Sequence, residues 1–259
     1  MAIIAHGSAG AWSETTTTTD NIGVRGSETA DTRVFLLAAW KDFSITATVA
    51  DAGGSYTELT EFADGSVAAG NGTGSMKVGA WYKDNIGGNS PTITYSSAPT
   101  VANCALLEFD KSSSETWNTP LIATAAWGLG GSAGQTVSAS SSVAVPNGGV
   151  VMAIIGIRDD SATFTRGATT GIDVSSGITW AADYVEDPVT HKSSTTGNDM
   201  AADLGYRFVT TGSTVTLRVT ATLSADETGS VLWIVQGLQA AATTSLIFRR
   251  HPNRGLIVR

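Results

Sequence analysis

The chain has 259 residues, of which 42% are hydrophobic and 15% are charged, and its formal net charge is −8. This length suits one large or two modest domains with real cores, and the apolar content argues against disorder over most of the chain. The acidic balance argues against nucleic acid as a principal partner.

The cysteine content and the hydropathy of the chain exclude several further classes of protein and of site. Cys104 is the only cysteine, which excludes an intrachain disulfide and a cysteine-based metal site. Its apolar strand context predicts a small core residue, not a catalytic thiol. No apolar run approaches the roughly 20 residues of a membrane span. The first ten residues lack the basic and apolar regions of a secretory signal, so we expect a protein made in a cytoplasm and released from it by other means.

The first part of the chain is weakly patterned up to residue 32, and we expect an N-terminal arm or first strand there. Residues 34–40 (VFLLAAW) form a continuous apolar run of strand length, which is typical of a strand buried on both faces. Alternation over residues 56–62 predicts that Tyr56, Glu58, Thr60 and Phe62 share one face of the next strand.

Residues 75–110 hold three short runs of β-branched, aromatic and aliphatic residues, separated by Gly, Asn, Pro and Ser. This pattern predicts sequential strands and turns. A weaker copy lies at 200–236, and residues 150–157 (VVMAIIGI) match the apolar run at 34–40. The matched triplets are Trp81-Tyr82-Lys83 with Gly205-Tyr206-Arg207, Thr92-Ile93-Thr94 with Thr214-Val215-Thr216, and Ala105-Leu106-Leu107 with Val231-Leu232-Trp233. An offset of about 120 residues suits a duplicated small β domain.

These patterns predict an all-β protein of two tandem antiparallel β-sandwiches, of jelly-roll or Ig-like type, related by internal duplication. No convincing amphipathic helix is present. The expected order after the arm (1–32) is a first sandwich at 33–112, a Gly/Ser-rich linker at 113–135, a second sandwich at 136–239 and a C-terminal docking tail at 240–259.

The tail alternates apolar triplets with arginines and has no acidic residue from 244 onward. A free segment of this kind is an aggregation hazard, so we expect it to dock on its own domain or on a neighbouring subunit. A basic tail on an acidic protein suits a copy of itself or an acidic neighbour. The expected assembly contacts are Leu246, Ile247, Phe248, Arg249, Arg250, Arg254, Leu256, Ile257, Val258 and Arg259.

Catalytic patterns are weak. A nucleophilic triad needs a histidine, and the three histidines are His6 and His251, in the terminal arms, and His191, in a loop. Terminal arms are poor places for preorganised catalysis. The glycine run at 128–131 does not open a helix and is interpreted as a linker, not a phosphate-binding loop. We therefore predict no catalytic residues, no enzymatic activity and no cofactor.

An acidic loop is the one candidate ion site. Asp183, Glu186, Asp187 and His191 lie close together in the sequence and could hold Ca²⁺ or another divalent ion, but no established calcium-loop pattern supports this. We predict no metal site, and ion binding by this loop stays open. Sequence cannot pair the two carboxylates that a glycosidase needs, so that activity has no positive support.

Five of the seven tryptophans fall into two groups. Trp40, Trp81 and Trp233 lie within apolar strand patterns and are expected in cores. Trp117 and Trp127 flank the predicted linker, where they would either pack between domains or stack on a sugar ring.

Four segments carry a family resemblance: VFLLAAW, GSMKVGAWYKDNIGGNSPTITYSS, ALLEFD and VSASSSVAVPNGGVVMAIIG. Over residues 33–237 their arrangement resembles small β-sandwich structural proteins of tailed bacteriophage virions. The resemblance implies a non-enzymatic virion component, either an exterior accessory protein of the tail or baseplate or a capsid decoration protein. It also implies other virion proteins and copies of itself as partners in a homo-oligomer. The alternative is a carbohydrate-binding module for adhesion to a host surface.

Overall fold

Every described element of regular structure in the computed structural model is a β-strand. The structure describes residues 3–5, 12–23, 29–42, 44–63, 76–85, 89–127, 135–138, 142–158, 163–164, 173–174, 178–180, 185–186, 191–193, 200–222, 229–240, 249–251 and 255–257. Within these ranges no helix is long and apolar enough to cross a membrane. The coarse prediction of an all-β antiparallel protein is therefore confirmed.

The first half of the chain forms two antiparallel sheets. Strands are numbered in chain order: β1 (Ile4–Ala5), β2 (Trp12–Thr15), β3 (Thr19–Asn21), β4 (Thr32–Lys41), β5 (Ala47–Asp51), β6 (Gly54–Ser55), β7 (Thr57–Ala63), β8 (Met76–Asp84), β9 (Thr92–Tyr95) and β10 (Ala102–Asp110). The first inner sheet has the order β1–β10–β4–β8–β7, with β2 also pairing β10. The first outer sheet has the order β3–β9–β5–β6.

The second half also has an inner and an outer antiparallel sheet, and its strands are β11 (Glu115–Trp117), β12 (Leu121–Trp127), β13 (Gln135–Ser138), β14 (Val143–Ala144), β15 (Val150–Ile157), β16 (Thr163–Phe164), β17 (Asp173–Val174), β18 (Thr179–Trp180), β19 (Val185–Glu186), β20 (His191–Ser193), β21 (Met200–Thr211), β22 (Thr214–Val215), β23 (Leu217–Thr222), β24 (Gly229–Gln236), β25 (Leu238–Ala240), β26 (Arg249–His251) and β27 (Gly255–Ile257). The second inner sheet has the order β12–β24–β15–β21, and β18, β19 and β20 pair with β21. In the second outer sheet β23 pairs with β13, β16 and β17. Separate ladders join β14 to β22, β11 to β25 and β26 to β27.

Three apolar cores separate the four sheets. Each outer sheet packs on its inner sheet and encloses an outer core. The first outer core contains Trp40 and Trp81, and the second contains Trp233. A third core, the central core, lies between the two inner sheets and contains residues such as Phe35 and Ile154. Each pair of inner and outer sheets is consistent with a β-sandwich, and the two sandwiches pack through their inner sheets.

Strands at the centre of this stack are buried on both faces, as predicted for residues 34–40. Every residue of β4, β15 and β24 is buried. Along β4, Val34 and Leu36 point into the outer core, whereas Phe35 and Leu37 point into the central core. A continuous apolar run therefore marks a strand that has a packed sheet on either side.

The two inner sheets share one strand order, since β10–β4–β8 in the first corresponds to β24–β15–β21 in the second. Across the central core, β8 packs on β24 and β4 packs on β15. Ser230 on β24 donates a hydrogen bond to the carbonyl of Met76 on β8 (2.9 Å), and Asn103 on β10 donates to the sulfur of Met200 on β21 (3.8 Å). The two contacts join strands that hold corresponding places in the two sheets.

The ladders and cores can be compared at two of the three matched triplets. Trp81 opposes Leu36, as Gly205 opposes Ala153, so the first triplet match agrees with the ladders. Leu106 lies in the outer core, but Leu232, its expected match, lies in the central core. The position that corresponds to Leu106 is Trp233, which opposes Ala153 as Leu106 opposes Leu36. A shift of one residue moves a strand's side chains to the other face.

The interval 113–135 differs from the predicted linker. It contains β11, which pairs β25, and β12, which pairs β24 along its whole length in the second inner sheet. Two apolar residues of β12, Ala123 and Ala125, are buried in the second outer core. The expected arm at 1–32 likewise contributes β1, β2 and β3 to the first two sheets.

The predicted common face of Tyr56, Glu58, Thr60 and Phe62 is also wrong. The ladder between β7 and β8 has an irregularity between Glu58 and Thr60. Such a bulge changes which residues share a face, so Leu59 and Phe62 both pack against the central core.

Candidate functional site

One end of the stacked inner sheets carries features that point to interactions with other molecules. We call it the terminal end and define it by the last residues of β10 and β24 and the first residues of β12. Strand β1 pairs there, with Ile4 opposite Asp110, and the backbone of Ile3 donates to the carbonyl of Gly148 (3.3 Å). The C-terminal segment leaves from the same place, because β25 follows β24 directly.

Arg33 holds the two halves together at this end. Its guanidinium binds both carboxylate oxygens of Asp84 (2.6 and 2.9 Å). One terminal nitrogen also donates to the carbonyl of Asn118 (2.9 Å) and to the side-chain oxygen of Gln236 (2.8 Å). With its donors used in this way, the buried arginine acts as a cross-link between β4, β8 and β24, not as an open anion site.

Trp117 contributes to this cross-link. The Arg33 guanidinium carbon lies 5.2 Å from the centre of the Trp117 ring and 4.5 Å from that of Tyr82. Trp117 is half-buried against the central core. Its packing against Arg33 leaves less of the ring for a sugar than a free stacking platform would offer. Trp127 lies at the end of β12, opposite Gly229 in the ladder, and its side chain is outside the described part of the structure.

The large hydrophobic side chains that are exposed among the described residues lie at the terminal end. They are Ile4 (58% exposed), Leu121 (45%) and Ile122 (41%). Beside Leu121 is a cavity of about 170 Å³ that Val145, Pro146, Val235 and Gly237 help to line. Leu121 and Ile122 are neighbours on β12, whereas Ile4 lies on the opposite edge strand β1, and exposed apolar side chains on a sheet edge commonly mark a contact surface.

The predicted assembly contacts in the tail are only partly described. Arg249 and Arg250 lie on β26, and Leu256 and Ile257 lie on β27, with Arg250 opposite Leu256 in the ladder. The others lie outside the described residues: Leu246, Ile247, Phe248, Arg254, Val258 and Arg259. In the described part of the chain this hairpin pairs with no other strand.

The acidic loop is likewise only partly described. Glu186 on β19 and His191 on β20 both lie beside β21, opposite Gly205 and Ala202 respectively. Asp183 and Asp187 fall outside the described residues. Among the residues that are described, no group of three or more His, Cys, Asp or Glu side chains could hold a metal ion.

A buried ion pair in the first sandwich was not found from the sequence. Lys77 Nζ lies 2.5 Å from Glu61 Oε2 and donates to the carbonyl of Ile45 (2.9 Å). The other carboxylate oxygen of Glu61 accepts from the backbone of Ala47 (2.5 Å). The group joins β5, β7 and β8, and every charged atom in it has a partner. Its role is therefore structural.

Cys104 is fully buried, as the sequence predicts. Its thiol donates to a carboxylate oxygen of Asp20 (3.2 Å). Burial, with the negative charge of Asp20 beside it, raises the pKa of Cys104 well above its usual value. Burial likewise raises the pKa of Tyr95, and Cys104, Asp20 and Glu61 add to that shift. A protonated, inaccessible thiol is a poor nucleophile, so this group offers no covalent chemistry.

Comparison with known proteins adds no family. No protein-family model, no curated protein and no solved structure matches this chain.

Proposed function

We propose that the chain is a non-enzymatic structural component of a tailed-phage virion, either an exterior accessory protein of the tail or baseplate or a capsid decoration protein. The observation that carries the proposal is the placement of apolar surface. Three stacked cores take up most of the large apolar side chains of the described residues, and at the terminal end Leu121 and Ile122 remain exposed on one edge strand, β12, and Ile4 on another, β1. Exposed apolar residues on edge strands suit attachment to a larger assembly.

We further propose that the two halves arose by internal duplication of one β-sandwich of jelly-roll or Ig-like type. The shared strand order of the inner sheets supports this, as do the corresponding contacts of Met76 with Ser230 and Met200 with Asn103. In this account the central core descends from the two-fold interface of an ancestral homodimer. Fusion of the halves makes that contact permanent.

The proposed partners are other virion proteins and copies of the chain itself, and the proposed location is the assembled particle. The net charge of −8 argues against packaged nucleic acid as the surface to which it binds. The carbohydrate-binding alternative rests on Trp117 and Trp127 alone, and the packing of Trp117 against Arg33 does not favour it.

Location tests the proposal. Particles of the phage that encodes the chain are purified by gradient, the chain is quantified against the major capsid protein by mass spectrometry, and immunogold labelling assigns head or tail. We expect a fixed ratio of chain to capsid protein through successive purification steps. A ratio that falls toward zero on purification, or catalytic turnover by the pure protein, overturns the proposal.

Removing the C-terminal tail tests whether this segment anchors the chain to the particle. A chain that ends at Ala242 retains both sandwiches, so we expect it to fold with an unchanged circular dichroism spectrum and to be lost from particles. Incorporation at the full-length level would refute the anchoring role of the tail while leaving the virion location standing.

A further inference from the structure

We infer that the chain self-associates by strand addition, in which the C-terminal hairpin β26–β27 of one copy pairs with the free edge of β12 in a second copy. This inference deepens the proposed function, on which it rests for its biological purpose, because it names the contact through which copies assemble. Two observations point to it. The edge strand β12 is open whereas the neighbouring edge β7 is protected, and the hairpin pairs with no other strand in the described part of the chain.

Strand β12 is an unprotected edge. In the described part of the chain it pairs only with β24, in a continuous register without irregularity. Its sequence, LIATAAW, contains no charge, no proline and no glycine. Natural sheet edges are normally blunted by charges, prolines, bulges or short length, because an open edge recruits another strand. The exposed Leu121 and Ile122 add apolar surface to this edge.

Strand β7 shows the protection that β12 lacks. It is the edge strand of the first inner sheet that lies next to β12 across the central core. It carries Glu58 and Glu61 and has the irregularity between Glu58 and Thr60. An incoming strand is therefore opposed at β7 and meets an apolar edge with free hydrogen-bonding groups at β12.

The C-terminal hairpin has the complementary chemistry. Residues 244–259 combine two apolar triplets with four arginines and no acid. A two-stranded hairpin is marginally stable by itself in water, so it needs a surface on which to pack. Apolar residues suit the β12 edge, and arginines suit a chain whose formal net charge is −8, so the hairpin fits strand addition to a second copy.

We take a second copy of the chain as the partner because, among the described residues of one chain, neither the free edge of β12 nor the hairpin pairs with another strand. Within one chain, β26–β27 forms a ladder of its own and β12 keeps its free edge, among the residues described. A contact that joins the tail of one copy to an edge of the next is heterologous, so it closes into a ring or continues as a filament. Both outcomes suit a protein that coats or extends a particle.

Cross-linking between two single-cysteine chains tests the pairing directly. Native Cys104 is buried and gives little background. Full-length Ile122→Cys and Arg250→Cys chains are mixed and treated with a short bismaleimide. We expect a product with the mass of two chains that contains one of each by mass spectrometry. Products from either variant alone, no product, or only an intrachain link in the doubly substituted chain would each overturn the inference, the last because the tail would then dock on its own copy.

A matched pair of substitutions supplies the second readout. Ile122→Lys places a cation on the β12 edge, where it faces incoming arginines, and Ile4→Lys makes the same change at the exposed edge strand β1. By sedimentation velocity we expect wild type and Ile4→Lys to form multiples of the chain, and Ile122→Lys to associate at least about tenfold more weakly. Equal behaviour of the two variants with unchanged circular dichroism spectra, or a wild type that is still monomeric at about 1 mM, overturns the inference. Both results are independent of whether the chain is found in particles.

Discussion

Ala39 and Gly156 meet across the central core, near the end of the inner sheets that lies opposite Arg33. A Cβ atom added to Gly156 would lie 3.1 Å from the Cβ of Ala39 and 2.9 Å from the terminal methyl of Met76. Ala39 lies on β4 and Gly156 on β15, the central strands of their sheets. Small residues at this crossing let the two sheets approach closely, so the central core depends on them.

Enlarging Gly156 should therefore separate the sheets. We expect Gly156→Val to destabilise the protein by about 1–3 kcal/mol, because a packed core accommodates added volume only by straining its neighbours. Urea unfolding measures the change. Gly23→Val is the control, since nothing lies within 4 Å of a Cβ at Gly23, and its effect should stay within about 0.5 kcal/mol. Equal effects of the two changes would show that the crossing is not closely packed.

The Arg33 cross-link predicts an asymmetry between its partners. Arg33→Lys removes the forked geometry and leaves the buried Gln236 oxygen without its donor, so we expect a loss of about 1–3 kcal/mol. Asp84→Asn should cost less, about 0–1 kcal/mol, because the side chain of Asp84 is 48% exposed and water replaces part of the interaction. Thermal and urea unfolding of both variants compare the two losses. A larger loss for Asp84→Asn would contradict this account.

The buried pair of Lys77 and Glu61 should be strongly coupled. We expect Lys77→Met alone to cost about 3–5 kcal/mol, because it leaves a buried carboxylate without its cation. The double change Lys77→Met with Glu61→Gln should cost less than the sum of the single changes. A double-mutant cycle from urea unfolding gives the coupling energy, and an additive result would mean that the pair is solvated in solution.

Cys104 predicts a fall in stability at alkaline pH. Because burial raises its pKa above the ordinary value of 9.0, the unfolded chain releases the thiol proton at a lower pH than the folded chain does. The stabilisation is complete below that ordinary value and is lost as pH rises toward the folded pKa, with a slope approaching about 1.4 kcal/mol per pH unit. Urea midpoints between pH 7 and 10.5 should fall less steeply in Cys104→Ala than in wild type. Tyr95 acts in the same direction at higher pH, so part of the slope should persist in the variant.

Thiol reagents give a separate check on the same residue. In the folded protein Cys104 should react with a maleimide only as fast as the chain unfolds, because it is buried and protonated. Rapid labelling at pH 8 without denaturant would contradict the described burial.

The local sequence pattern was sufficient to predict that the chain consists of strands and that the run at 34–40 is buried on both faces. The unbroken apolar run at 34–40 predicted a strand between two packed layers, and β4 lies there. The match of Trp81 with Gly205 also agreed with the ladders, because polar residues next to that segment limit the register. The triplets at 105–107 and 231–233 were misaligned by one residue because β10 and β24 are apolar on both faces, so alternation carries no register information.

By itself the sequence determined the all-β class, the burial of Cys104 and the basic, apolar character of the C-terminal segment, because each depends on composition or on short-range periodicity. Only the tertiary structure decided that the inner sheets face each other, that residues 121–127 form an open edge and that the arginine at position 33 binds across both halves. These properties depend on pairings between residues as much as 203 positions apart, as between Arg33 and Gln236. Local propensity carries no information about such distant partners.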